Sequence, residues 1–156
     1  DRADTPLSMR FADCTPLLFV DPVRGVIGVA HAGWRGTAQG MGSAVVQAMA
    51  DAYGSRPADI QAGIGPSIGP AHYQVGEEVV EAVEHYFGTT EGLISRDPAD
   101  GSAYLNLWEA NRLDLERAGV GEVTVAGLCT VERNDEFFSH RHERGRTGRF
   151  GVVLSL

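Results

Sequence analysis

Lysine is absent: all 13 basic residues of this 156-residue chain are arginine. That excludes Schiff-base chemistry and any phosphate loop built around a lysine. Cysteine is scarce. Cys14 and Cys129 are the only two, too few for a disulfide framework, so the chain reads as a cytoplasmic protein with free thiols. No apolar run is long enough to span a bilayer, and no basic-then-apolar leader opens the sequence. Basic charge is outweighed by acidic charge, and the net charge of -8 argues against general affinity for nucleic acid or an anionic membrane. Internal repeats, low-complexity segments and linkers are missing as well. What remains is the composition of an ordinary globular protein, 43% hydrophobic and 22% charged, in a length that suits one domain with its own core. The opening stretch DRADTPLSMR has no initiating methionine and no capped element, so it reads as the continuation of a longer chain.

Apolar patterning predicts interspersed strands and helices, an α/β or mixed α+β class. PLLFVD and RGVIGVAH read as two buried strands joined by a turn at Asp21 and Pro22. His31 then sits at a strand end. Met41, Val45, Met49 and Tyr53 recur every four residues and predict a helix with Thr37 as its N-cap. DIQAGIG is a third strand, and GPSIGPAHYQVG a turn-rich loop with two Gly-Pro pairs. Val79, Val80, Val83, Tyr86 and Phe87 mark a second helix. Leu105, Trp108 and Leu115 mark a third, with Gly119 as its stop. EVTVAGL and FGVVLSL complete the strands.

HAGWRG, residues 31–36, is the most site-like stretch. Ala32, Gly33 and Gly36 remove bulk while His31 and Arg35 supply chemistry. Cys14 and His31 offer a thiolate and an imidazole, a pair suited to zinc. The same two residues are also the types of a nucleophile and its base, or of a buried thiol beside a hydrogen-bonded strand-end histidine. Asp13 can orient an imidazole, act as acid or base, or cap the turn before Pro16. Arg35, at a helix entrance, is a phosphate-binding candidate or an anchoring ion pair. Trp34 reads as core packing. Near the C-terminus Arg141, Arg144, Arg146 and Arg149 crowd into nine residues, a guanidinium cluster suited to anions or a solvated loop beside Glu143. His140 and His142, two apart, are weaker metal candidates.

ADCTP (12–16), HAGWRG (31–36), GPSIGPAHYQVG (65–76), CT (129–130), FFSHR (137–141) and TGR (147–149) together resemble one family, in the family's order across nearly the whole chain. It is the multicopper polyphenol oxidase, or laccase-domain, family, also described as zinc-dependent purine nucleoside phosphorylases with adenosine deaminase activity. The resemblance implies a four-layer α-β-β-α sandwich, the fold shared with the catalytic domain of cytotoxic necrotizing factor toxins. It implies a metal site of two histidines and a cysteine, of which Cys14 and His31 are matched here. The third ligand belongs to a segment that precedes everything in this sequence, and His142 departs from the family's usual pattern. The implied substrates are a purine nucleoside and phosphate. Asp13, Cys14 and His31 are then the catalytic candidates, and Arg35, Arg141 and the turn holding Gly65 and Gly69 the candidates for substrate binding. The implied cofactor is Zn2+, with Cu2+ for a polyphenol oxidase. Five histidines are too few for a multicopper cluster. A cysteine hydrolase using Cys14 and His31 is the third reading.

Overall fold

The computed structural model describes residues 5–156. The opening Asp1 to Asp4, on which the reading of a continued chain partly rests, lies outside the described residues. The chain is a mixed α/β protein. Strand β1 (Leu7–Phe11) is followed by β2 (Thr15–Asp21) and β3 (Val26–Ala32). A short helix α1 (Trp34–Thr37) and the longer α2 (Met41–Tyr53) come next. Then follow β4 (Gln61–Ile64), β5 (Gln74–Val75), α3 (Glu77–Phe87), β6 (Ile94–Arg96) and β7 (Ala103–Leu105). Helix α4 (Leu107–Arg117), β8 (Glu122–Val125) and β9 (Phe150–Leu154) complete the order.

The predicted β2–β3 hairpin forms, antiparallel, with Pro16 opposite His31. Its turn is held by Asp21, whose Oδ1 accepts the Val23 and Arg24 amides at 2.9 and 3.0 Å. An aspartate bonding the backbone two residues on is a turn-former for that reason. Strand β4 pairs antiparallel with β2 and parallel with β8, giving the central order β3-β2-β4-β8. Two smaller sheets, β1-β9 and β5-β7-β6, flank it in the chain.

Helices α2 and α4 cover one face of the central sheet. Leu17, Phe19, Ala30, Ala62 and Ile64 meet Val46, Met49 and Leu115 there in one buried cluster. Gly28 lies on the same face, where an added Cβ would meet Val45 and Met49 at 3.4 and 3.5 Å. A second cluster joins α3 to β7 and to the other side of α4 through Val79, Val83, Phe87, Leu105, Leu107 and Ala110. Helix α4 therefore buries two faces, because it stands between both cores.

Three sequence expectations shift. Thr37 does not cap α2: it ends α1, fully buried, and its hydroxyl accepts from Asn111 Nδ2 at 3.1 Å. The residue before α2 is instead Gly40, in the left-handed region at φ 70°. The buried stripe of α2 is Gly42, Val46 and Met49, with Tyr53 exposed. Leu105 belongs to β7 and not to the third helix, whose N-cap is Asn106, accepting from the Glu109 amide. Gly119 ends that helix as expected, at φ 81°.

Gly42 is the tightest point between the helices, because a Cβ there would lie 2.7 Å from Asp114 Oδ2 and 2.9 Å from Leu115. Gly42→Ala normally favours a helix by about 1 kcal/mol, yet here overpacking of about 1–3 kcal/mol opposes it. The variant is expected to unfold at lower urea, and a raised midpoint would contradict the packing.

Candidate functional site

The site begins at a strained aspartate. Asp13, in the turn between β1 and β2, holds φ 80° and is 92% buried by its 8% exposure. Left-handed backbone is unfavourable for a residue with a Cβ, although aspartate tolerates it better than most. Three hydrogen bonds hold it. Oδ1 accepts the Thr130 hydroxyl at 2.7 Å, Oδ2 accepts the Arg141 amide at 2.6 Å, and its carbonyl accepts the Ile68 amide at 3.0 Å. Both carboxylate oxygens are thus engaged, and no hydrogen bond joins Asp13 to His31 among the described residues. Asp13 ties the loops together through these bonds.

The turn at residues 65–69 is the second surprise. Gly65 donates to the Pro16 carbonyl, Ser67 to Leu128, Ile68 to Asp13 and Gly69 to Cys129 Sγ at 3.2 Å, while Pro66 has no amide hydrogen. Every backbone amide of this turn already has an acceptor, those of Gly65 and Gly69 included. Their lack of side chain is what the fold uses. A Cβ on Gly65 would lie 3.1 Å from Pro16, and one on Gly69 3.1 Å from Cys129 and 3.2 Å from Trp108. Trp108 Nε1 fastens the turn to α4 through Ser67 Oγ at 2.8 Å.

On this platform stand the chemical groups. Cys14 is half-buried, with its Sγ 3.0 Å from the position a Gly33 Cβ would take; any side chain at Gly33 would press on the thiol. His31 leaves the end of β3 with its ring stacked on Phe11, centroids 4.9 Å apart and planes at 28°. Phe150 lies 6.0 Å beyond Phe11, and Phe137 packs edge-on to Phe150 at 5.2 Å. This aromatic row sets the plane of the imidazole. Arg35 is exposed and lies over the Trp34 ring at 4.2 Å, so Trp34 is a stacking platform as well as packing. Helix α1 is only four residues long, and the anion capacity of Arg35 rests on its guanidinium.

Burial and neighbouring charges shift both Cys14 and His31. Burial first, then the Asp13 carboxylate, pushes the Cys14 thiol up, with Arg149 opposing. The His31 ring keeps an exposed edge, but its packing withdraws part of it from water. That desolvation and then the Arg149 charge hold its pKa below the ordinary histidine value. Tyr73 is pushed up to about 12, by burial first and then by the neighbouring Cys14. Its phenol is therefore a donor at neutral pH and not a base. Arg141 lies over the Tyr73 ring at 5.4 Å and donates to the Gln74 carbonyl at 3.0 Å.

Cys14, His31, Tyr73, Arg35, Arg141 and Arg149 thus share one neighbourhood. Tyr73 was missed as an individual by sequence reasoning, although it falls inside a quoted motif, and Arg149 was read only as one of four clustered arginines. His140 and His142 are exposed and complete no three-donor group with Cys14 and His31 among the described residues. Their loop is ordered by Glu143, which accepts from the Ser139 amide, Asn134 Nδ2 and the Thr147 hydroxyl. Cys14 and Cys129 are both free thiols, as expected. A shallow surface hollow of about 360 Å³ lined by Pro70, Arg96, Asp97 and Tyr104 holds none of these groups.

A family model described as multi-copper polyphenol oxidoreductase laccase matches residues 1–156. The chain belongs to that family. It is 43% identical over 152 residues to the purine nucleoside phosphorylase YlmD of Bacillus subtilis, covering 96% of this chain and 54% of that protein. It is 37% identical over 145 residues to the adenosine deaminase RL5 of an unknown prokaryotic organism, covering 92% and 55%. The crystal structure of the Bacillus licheniformis hypothetical protein YfiH superposes with a TM-score of 0.94 at 40% identity, over 100% of this chain and 59% of that one. The chain spans about half the length of the curated relatives it matches. Among the described residues no helix is long and apolar enough to cross a membrane.

Two outcomes check the site. Asp13→Ala strips the acceptors from the Thr130 hydroxyl and the Arg141 amide. It is expected to lower unfolding free energy by about 2–4 kcal/mol, read from denaturant melts; a change within error would contradict the anchoring role. Arg149→Gln removes a positive charge facing His31, so the imidazole pKa in metal-free protein should rise towards 6.5, the unperturbed value. An unchanged value by NMR titration would place Arg149 elsewhere.

Proposed function

We propose that the protein is a zinc-dependent purine nucleoside phosphorylase, cleaving adenosine or inosine with phosphate into a purine base and ribose-1-phosphate. The supporting observation is the ring of cationic and neutral donors, Arg35, Arg141, Arg149 and Tyr73, around Cys14 and His31. The names of the relatives agree with it. In phosphorolysis an oxygen of phosphate forms a bond to the ribose carbon as the bond to the purine nitrogen breaks. The purine leaves with the electron pair and takes up a proton. A cluster of guanidinium groups without lysine suits the phosphate dianion, because each presents a planar fork of donors. Arg141 is partly spent on the Gln74 carbonyl and Arg149 on the Thr147 and Gly148 carbonyls, whereas Arg35 lies over Trp34. Tyr73 remains protonated and can donate to an oxygen that gains charge.

Cys14 and His31 fit a metal in their donor chemistry. Sulfur and neutral imidazole are the ligand types of zinc, and desolvation and then Arg149 lower the His31 pKa. Bound by them, zinc would supply a Lewis acid and a water of lowered pKa, which is also what deamination of adenosine requires. The described residues contribute two donors, and a third would come from elsewhere in the whole protein. Adenosine deamination is the second activity of this reading. Copper in the same place is the alternative that the family's description favours, but the five histidines of the sequence do not assemble a multinuclear set among the described residues. The cysteine hydrolase reading is disfavoured by the thiol itself. Nucleophilic cysteines have a depressed pKa, whereas Cys14 is pushed up and no hydrogen bond joins it to His31 among the described residues.

The test is phosphate-dependent release of hypoxanthine from inosine, with ribose-1-phosphate as co-product. Arg35→Ala should raise KM for phosphate about 10-fold or more, the equivalent of one lost charge-assisted contact, and leave nucleoside KM nearly unchanged. Equal effects on both would remove the assigned role, and release without phosphate would overturn the reaction.

A further inference from the structure

We propose that His72, Cys129 and Glu132 form a second cation site, of the zinc class, apart from Cys14 and His31. One ligand atom from each lies within 4.8 Å of the other two. Two local turns create the cluster. The Arg133 amide bonds the Cys129 carbonyl at 3.0 Å, so Cys129 and Glu132, three residues apart, project from one side of a helical turn as ligand pairs do. The His72 amide bonds the Gly69 carbonyl at 3.0 Å, which carries the imidazole over the sulfur. His72 Nε2 and Glu132 Oε1 already meet at 3.0 Å.

Cys129 is 3% exposed, and the Gly69 amide donates to its sulfur at 3.2 Å. A backbone donor aimed at sulfur orients it, as outer-shell partners do at metal centres. The other two side chains are 36% and 59% exposed. The sulfur is fixed from below, while the imidazole and carboxylate open to solvent and can rotate inward around an arriving ion.

Donor chemistry selects the ion. Thiolate and imidazole are poor ligands for calcium or magnesium, and a single thiolate beside nitrogen and oxygen suits zinc or cobalt(II). Thiolate and carboxylate together cancel a double positive charge. Three protein ligands leave a fourth position for water. The cluster also straddles the platform of the first site: Thr130, bonded to Asp13, follows Cys129, and Tyr73 follows His72. A bound ion would therefore clamp the two segments that carry the Asp13 partner and the phenol. The proposal stands independently of the nucleoside reading.

Cobalt(II) titration of the Cys14→Ser protein tests it, because that variant lacks the other candidate thiolate. The expected result is one equivalent of cobalt with a sulfur-to-metal charge-transfer band. In that background His72→Ala and Glu132→Gln, both at exposed positions, should each weaken binding by about 10- to 100-fold or more. Cys129→Ser should abolish the band. Absence of the band in Cys14→Ser would overturn the proposal, and so would a band of equal affinity in the His72→Ala and Glu132→Gln variants. The first outcome would leave His72 and Glu132 as a surface hydrogen-bonded pair.

Discussion

One carboxylate holds the site together. Asp13 reaches Thr130 and Arg141, which are 117 and 128 residues away in sequence, through a hydrogen bond from each of its two oxygens. Its carbonyl takes a third, from the turn at residue 68. Hydrogen bonds to a charged acceptor contribute about 1.5–3 kcal/mol each, more than the cost of about 1–3 kcal/mol for a strained backbone conformation. The left-handed geometry is therefore affordable only because the carboxylate is fully partnered. That geometry in turn lifts Cys14 to the mouth of the β2–β3 hairpin, opposite the strand that delivers His31.

The consequence for chemistry is rigidity under a set of charged groups. Loops that are ordinarily mobile are tied here to the ends of the central sheet and, through Trp108 and Ser67, to α4. Desolvation and then Arg149 lower the His31 pKa, while burial and then Asp13 push the Cys14 thiol up. Arg35, Arg141 and Arg149 gather near Cys14 and His31 although the whole chain is acidic.

Much of the fold was legible in sequence. The β2–β3 hairpin showed itself because its turn carries Asp21 and Pro22, and α3 because its valines and Phe87 repeat at helical spacing. Strand β1 did not, since Ser8, Met9 and Arg10 are exposed and its partner β9 lies at the opposite end of the chain. Strands β5, β6 and β7 are two or three residues long and carry no period. Leu105 looked helical because α4 is flanked by apolar residues that serve two cores. Within the site, Cys14, His31 and Arg35 stood out as compact motifs. The spent amides of Gly65 and Gly69, the anchoring role of Asp13 and the nearness of Arg149 depend on contacts between distant segments, which no local pattern encodes. The His72 and Glu132 pairing, 60 residues apart, is hidden for the same reason.

Native-state hydrogen exchange at the Ile68 and Arg141 amides tests the Asp13 anchor most directly. Both donate to Asp13 although both lie outside regular secondary structure. The account predicts protection comparable to the central strands β2 and β4, with release only on global unfolding. Exchange at the rates of exposed loops would contradict it, and the site would then be a set of neighbouring loops without a common anchor.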